Sequence, residues 1–224
     1  MKQLTCEMCG STDLVKQDGM FVCQACGCKY SVEEAKKMMI EGTVDVTGST
    51  VKVDTSNELK NLYELARRAK TDGNSENAQK YYDQILVKDP SSWEANFYSV
   101  YYQSMNCKIA EIQGAAIRLS NCEDTVLNLI KDNVSDSDEQ RKAVDEVGAS
   151  LIHISGMLYN AALNHYNGIG YSIRSNYHQE MLNNCLASID VVYHYGNYLI
   201  AIFGDTSGTD IAVTCWRAGI APHK

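Results

Sequence analysis

Apolar and polar positions follow three rhythms along this chain. Near the start, Leu14, Val15, Met20, Phe21 and Val22 flank Gln17-Asp18-Gly19. Asp-Gly between short apolar runs is a strong turn signal, so the pattern predicts a hairpin with strands at 14–16 and 20–22. A short helix is expected next. Ser31 and Glu34 stand three apart as a capping box, Glu33 and Lys37 are spaced i, i+4, and Gly42 can end the helix. Its apolar end, Met38, Met39 and Ile40, either covers the preceding module or meets a partner. Then Val44, Val46, Val51 and Val53 alternate with polar residues around Thr47-Gly48-Ser49. That period of two predicts two more strands, but an isolated hairpin is marginal in water. Residues 43–56 therefore read as a domain boundary, either a paired hairpin or an extended linker.

From Thr55 the rhythm changes to spacings of three and four, the period of amphipathic helices. Thr55 with Glu58, and Ser91 with Glu94, have capping-box spacing. Helical text continues over 93–119, with a break near Asn106, and over 123–133. A polar stretch, "SDSDEQRKAV", places Ser137 and Gln140 at the next helix start. Val144, Val147, Leu151, Ile154, Leu158 and Ala161 then mark a long helix. After the loop "NHYNGIGYS", a second stripe runs through Met181, Leu182, Cys185, Leu186, Ile189, Val192 and Tyr193. A short helix at 209–217 closes the pattern. The expected fold is mainly α, with a small N-terminal β module: residues 1–30, then 31–56 as helix plus hairpin or linker, then a helical domain at 57–224.

Five of the nine cysteines fall within 4–30. Cys6-x2-Cys9 and Cys23-x2-Cys26 are identical pairs, and each is followed by a glycine, Gly10 or Gly27. Two such turns bring four thiolates to the corners of a tetrahedron, which is the donor set of a structural Zn²⁺. The hairpin between the pairs completes a zinc ribbon. With sulfur at all four positions no site is left for water, so the ion is expected to hold structure and not to catalyse. Competing readings are a redox Cys-x2-Cys, disulfides and an iron–sulfur cluster. The redox motif belongs at a strand-to-helix junction of a larger α/β unit, which this text lacks. Cys28 is a fifth thiol, either spare or able to exchange with a ligand.

Composition and charge narrow the function. The chain is 45% hydrophobic and 21% charged, with two prolines, as expected of a folded globular protein. No apolar run approaches the roughly 18–20 residues needed to span a bilayer, so no membrane insertion is expected. The opening "MKQLTCEMCG" lacks the apolar core of a secretory signal. The chain is therefore expected in the cytoplasm, where thiols stay reduced. Net charge is −8; lysines balance acids up to residue 40, so the surplus acid lies beyond it. Nucleic-acid binders need basic surface facing phosphates. Nucleic acid is thus not the expected partner, although Lys60, Arg67, Arg68 and Lys70 form a basic strip on the first long helix.

Two resemblances add to this. Residues 4–30, with Cys6, Cys9, Cys23 and Cys26 at the matching positions, resemble the zinc ribbon of the general transcription factor B type, which implies docking onto RNA polymerase. Residues 58–91 resemble a tetratricopeptide repeat, with Leu62, Leu65, Ala66 and Ala69 on its first helix and Ala78, Tyr82, Ile85 and Pro90 on and after its second. The order of parts, with "VEEAKKMM" and "GSTVKVD" after a ribbon, is also similar to a group of bacterial proteins that join such a ribbon to a tetratricopeptide-like region.

The search for catalytic chemistry finds little. The five histidines, 153, 165, 178, 194 and 223, have no metal-ligand spacing, and "NGIGYS" lacks a P-loop lysine. His165 with Cys185 is one imaginable Cys–His pair. Cys107, Cys122, Cys185 and Cys215 sit in helical text as core thiols. Tyr81, Tyr82, Tyr98, Tyr101 and Tyr102 either fill helix contacts or line a peptide-binding face. The resulting expectation is a non-enzymatic zinc-binding adaptor or scaffold that meets a protein or peptide. The alternative is a transcription-associated factor whose ribbon contacts polymerase or nucleic acid, with Lys16, Phe21 and Lys29 as its contact strip. An enzyme built on the helical domain is the third class.

Overall fold

The computed structural model describes residues 6, 8, 11–17, 19–32, 34, 56–204 and 209–223. The expectations for Cys9, Gly10, Asp18, Met38–Ile40, Gly42, the 43–54 hairpin and Thr55 lie outside them. The chain divides into two compact units, Met1–Val53 and Asp54–Lys224. The architecture is mainly α, with a small antiparallel sheet in the first unit.

In the first unit the hairpin forms as its text requires. Strand β1 (Leu14–Gln17) pairs with β2 (Met20–Cys23). Gly19 has φ +82°, a left-handed conformation that glycine adopts without a Cβ clash. A third strand, β3 (Lys29–Ser31), pairs antiparallel with β2. The sequence pattern did not reveal it. Leu14 lies opposite Cys23, and Phe21 opposite Tyr30. Opposed residues share a face, so these four side chains meet on one side of the sheet. Together with Cys6 and Cys28 they form the small core of this unit among the described residues. At the end of β3 the capping box is present: Ser31 Oγ accepts from the Glu34 N–H at 3.2 Å, and Glu34 Oε2 accepts from the Ser31 N–H at 2.8 Å.

The second unit is built from helices that pack in chain order and then fold back. Helix α1 (Ser56–Thr71) packs on α2 (Ser75–Lys88), α2 on α3 (Trp93–Met105), and α3 on α4 (Ile112–Asn133). Ala66 and Ala78 are fully buried, because small residues let helices approach closely. Leu62, Ala69, Tyr82 and Ile85 are buried with them, while Leu65 is exposed. After α5 (Ser137–Gly168), the short α6 (Tyr171–Arg174) leads into α7 (His178–Phe203). Helix α7 is central: α4, α5 and the last helix, α8 (Thr209–Ile220), all pack against it.

Several helix boundaries differ from the sequence reading. The α3 cap is Ser92, not Ser91; its hydroxyl accepts from the Ala95 N–H at 3.1 Å. Tyr63 donates to the same hydroxyl oxygen at 2.6 Å, fixing the choice through a tertiary contact. Helix α4 runs without a break from 112 to 133, replacing the expected gap at 120–122. The α5 cap is Asp136, which accepts from the amides of Asp138 and Glu139, while the Gln140 side chain donates to the Val134 carbonyl. That helix continues through Gly168, so the loop after it is shorter than expected, and Ala162 is buried in place of Ala161. On α7 the buried face is Cys185, Ser188, Ile189, Val192, Tyr195 and Leu199, and Leu182 and Leu186 face outward.

Candidate metal centre

Backbone hydrogen bonds build the cysteine site. The Cys6 N–H donates to the Ser11 carbonyl at 2.8 Å, and the Cys23 N–H donates to the Cys28 carbonyl at 2.9 Å. Both bonds span five residues from the first cysteine of a Cys-x2-Cys pair, so the two pairs share this hydrogen bond and are joined by the hairpin. Gly27, at φ +76°, donates its N–H to the Cys23 carbonyl at 2.8 Å and turns the second knuckle. This placement explains Cys28: it closes the second knuckle at the position Ser11 holds in the first. It is a half-buried neighbour in the small core, outside the group of three clustered sulfurs.

The sulfurs of Cys6, Cys23 and Cys26 lie within 4.8 Å of one another, close enough to share a metal ion. Cys6 Sγ and Cys26 Sγ are 3.6 Å apart. A tetrahedron with metal–sulfur bonds of about 2.3 Å has edges of about 3.8 Å, so the spacing fits a shared ion. It is far longer than a disulfide bond of about 2.05 Å. Cys6 and Cys23 are buried, and Cys26 is exposed. The second pair begins at the end of a strand and is followed by another strand, β3. No helix N-terminus follows it to favour a redox-active thiolate. The Tyr30 hydroxyl is 3.1 Å from Cys6 Sγ, a contact that spacing alone did not indicate.

In the helical unit four of the five clustered tyrosines are core side chains, and Tyr81 is half-buried against them. Tyr82, Tyr98, Tyr101 and Tyr102 are buried; Tyr82 stacks on Tyr98, with centroids 5.1 Å apart, and on Tyr102, and Tyr101 meets Tyr98 and Tyr102 edge to face. Burial pushes the Tyr102 phenol up to about 12. The basic strip is largely paired. Arg67 donates to both carboxylate oxygens of Glu94, with Nη2–Oε2 at 2.6 Å. Tyr82 donates to Glu94 Oε1 at 2.8 Å. Glu94 thus fastens α1, α2 and α3. Arg68 lies 3.8 Å from Asp72, and Lys70 pairs with Glu146, which also accepts from Tyr98. Burial alone would raise the Glu146 carboxyl, but the hydrogen bonds from Lys70 and Tyr98 outweigh it and hold the group below its ordinary range.

Glu123 on α4 is a group that no sequence pattern singles out. It is 1% exposed, and neither carboxyl oxygen has a hydrogen-bond partner among the described residues. Burial pushes its carboxyl up to about 10. Cys215, pushed to about 12 by burial and then by the field of Glu123, shares this interior. The imagined Cys–His pair does not form: the Cys185 thiol lies 3.7 Å from the Met181 sulfur, and His165 lines a small cavity with Tyr166 and Glu180. Among the described residues no helix is long and apolar enough to cross a membrane. No family profile, curated protein or solved structure matches the chain.

Proposed function

We propose that this protein is a non-enzymatic, cytoplasmic adaptor or scaffold whose N-terminal unit is a zinc ribbon and whose helical unit meets a protein partner. Zn²⁺ is assigned from the all-sulfur donor set, with Cys6, Cys23 and Cys26 as three ligands. Cys9 is the fourth, because it stands in the first pair where Cys26 stands in the second. Four thiolates leave the ion no open position, so its role is to hold a module whose own core is too small to fold. The reading is carried by the division of the chain into this module and a separately cored helical unit. Outward-facing apolar residues on the second unit support a partner there: Tyr171 is 91% exposed, and Leu186, one helical turn beyond exposed Leu182, is 50% exposed. Affinity capture from the native cell tests the reading. The wild-type chain should retain a defined partner that Leu182→Glu with Leu186→Glu loses; recovery of the same proteins by both would end it.

The second reading, a transcription-associated factor, draws on the exposed ribbon surface, where Lys16 and Lys29 accompany Val15 and Met20. Phe21, half-buried against the ribbon core, leaves that strip short of an aromatic contact. A gel-shift assay at about 150 mM salt, where the screening length is about 8 Å, separates the two. Micromolar or tighter binding to DNA, lost on Arg67→Glu with Arg68→Glu, would favour the second.

A further inference from the structure

Helices α4 and α7 pack closely but leave an open surface cavity of about 260 Å³ between them, in whose walls Ile117, Asn121, Asp190 and His194 are exposed. Its walls are Ala116, Ile117, Ser120 and Asn121 from α4, and Ala187, Asp190, His194 and Tyr198 from α7. The helical period puts each set on one face: 116 and 120, 117 and 121, 190, 194 and 198 are each four apart. Small side chains at Ala116, Ser120 and Ala187 create the space. The His194 and Tyr198 rings form one wall, edge to face with centroids 6.4 Å apart.

The polar groups of this cavity are uncommitted. Among the described residues, neither Asp190, Ser120 nor Asn121 makes a hydrogen bond or an ion pair, although Lys70, Lys88, Arg67 and Arg141 elsewhere all have carboxylate partners. Asp190 is the only carboxylate in the lining, and no lysine or arginine lines it. The contents are therefore an anionic oxygen, a hydroxyl, an amide, two aromatic rings and an apolar floor. A carboxylate forms its strongest hydrogen bonds with a charged donor, and an aromatic face favours a cation. Ala116, Ile117 and Ala187 suit a short hydrocarbon stem.

We propose that this cavity binds a primary alkylammonium group, with the ammonium on Asp190 beside Tyr198 and the alkyl stem against Ala116, Ile117 and Ala187. Ser120 and Asn121 supply oxygens for the remaining ammonium protons. The volume suits a group of a few heavy atoms, smaller than the usual range of about 300–1,000 Å³ for cofactor-sized pockets. The same head occurs on a free amine and on a lysine side chain. The inference stands apart from the adaptor reading and does not need the metal site.

The test is a titration of the full-length protein, followed by NMR of its alanine and isoleucine methyl groups. n-Butylammonium should shift Ala116, Ile117 and Ala187, and n-butanol, which has the stem without the charge, should bind about tenfold more weakly. Asp190→Asn, an exposed position that leaves the fold intact, should weaken the amine about tenfold, and Ala187→Leu should fill the cavity and abolish the shifts. Nα-acetyl-lysine N-methylamide binding more tightly than n-butylammonium would assign the site to a lysine of another chain; the reverse order would assign it to a free amine. Equal binding of butanol and butylammonium, retained affinity in Asp190→Asn, retained shifts in Ala187→Leu, or no shifts at these methyls would each overturn the proposal.

Discussion

The Tyr30 hydroxyl lies 3.1 Å from Cys6 Sγ, although the Tyr30 backbone pairs with Phe21, next to the turn end of the hairpin. Its ring belongs to the same face as Phe21 and Cys23. With the proposed zinc bound, a phenol so placed would donate to the metal-bound thiolate, withdraw charge from the sulfur and shield it from competing electrophiles. Tyr30→Phe keeps the ring and removes the donor. Zinc transfer to a colorimetric chelator should then accelerate by about tenfold, with the helical unit melting unchanged. An identical transfer rate would show that the contact carries no weight at the metal.

The two knuckles make opposite forecasts for neighbouring cysteines. Purified protein should contain one zinc per chain. Cys23→Ser should lose it and unfold the ribbon, while residues 54–224 keep their helical circular-dichroism signal. Cys28→Ser should leave zinc content unchanged, since Cys28 occupies the position of Ser11 in the other knuckle. Full zinc occupancy in Cys23→Ser would mean that other residues hold the ion.

Glu123 should make the helical unit less stable as pH rises. Its carboxyl is raised from 4.5 to about 10. Between those values the folded state keeps a proton that the unfolded chain releases, so stability declines with pH by up to about 1.4 kcal/mol per unit. Glu146 works in the other direction. Its carboxyl is lowered, so its contribution is present above the ordinary carboxylate range and is lost as pH falls below about 4.5. Glu123→Leu should therefore be more stable than wild type near pH 7, by about 1–3 kcal/mol. That gain should shrink toward pH 5 in urea melts. Parallel pH dependences in the two proteins would contradict this.

The packing of α8 on α7 depends on a missing side chain. A Cβ on Gly196 would stand 2.8 Å from Trp216 Cε2, 2.9 Å from its Cδ1 and closer still to its Nε1. Gly196→Ala should destabilise the unit by roughly 1–3 kcal/mol. Gly156, on α5, has open space around its Cα. Gly156→Ala should instead stabilise, by up to about 1 kcal/mol. Thermal melts of the pair read the difference directly, and a neutral Gly196→Ala would show that Trp216 shifts without cost.

What could be read from the sequence was what local chemistry decides. The cysteine spacing and the Asp-Gly pair located the hairpin and the clustered sulfurs because both act within a few residues. The third strand escaped notice because three residues, Lys29–Ser31, carry too little alternation to register. Helix caps were misplaced by one residue where two competent residues adjoin. Ser91 and Ser92 are equivalent by propensity, and only Tyr63, brought from α1, distinguishes them. The stripe on α7 was misread for a related reason. A helix covered by α4, α5 and α8 buries more than one face, including Ser188 and Gly196, which an apolar pattern passes over. Glu123 and the uncommitted Asp190 had no signature at all, since their character comes from what surrounds them.

The central place of α7 also sets a timetable for synthesis. Helix α4 leaves the ribosome with Val126, Leu127 and Ile130 ready for burial, yet the helix it packs against most extensively is not complete until Phe203 has been added. At about 5–20 residues per second, translation leaves that surface waiting for several seconds. During that interval the nascent chain is a client for chaperones, and a codon-dependent pause between residues 133 and 178 would lengthen its exposure more than a pause anywhere in the ribbon.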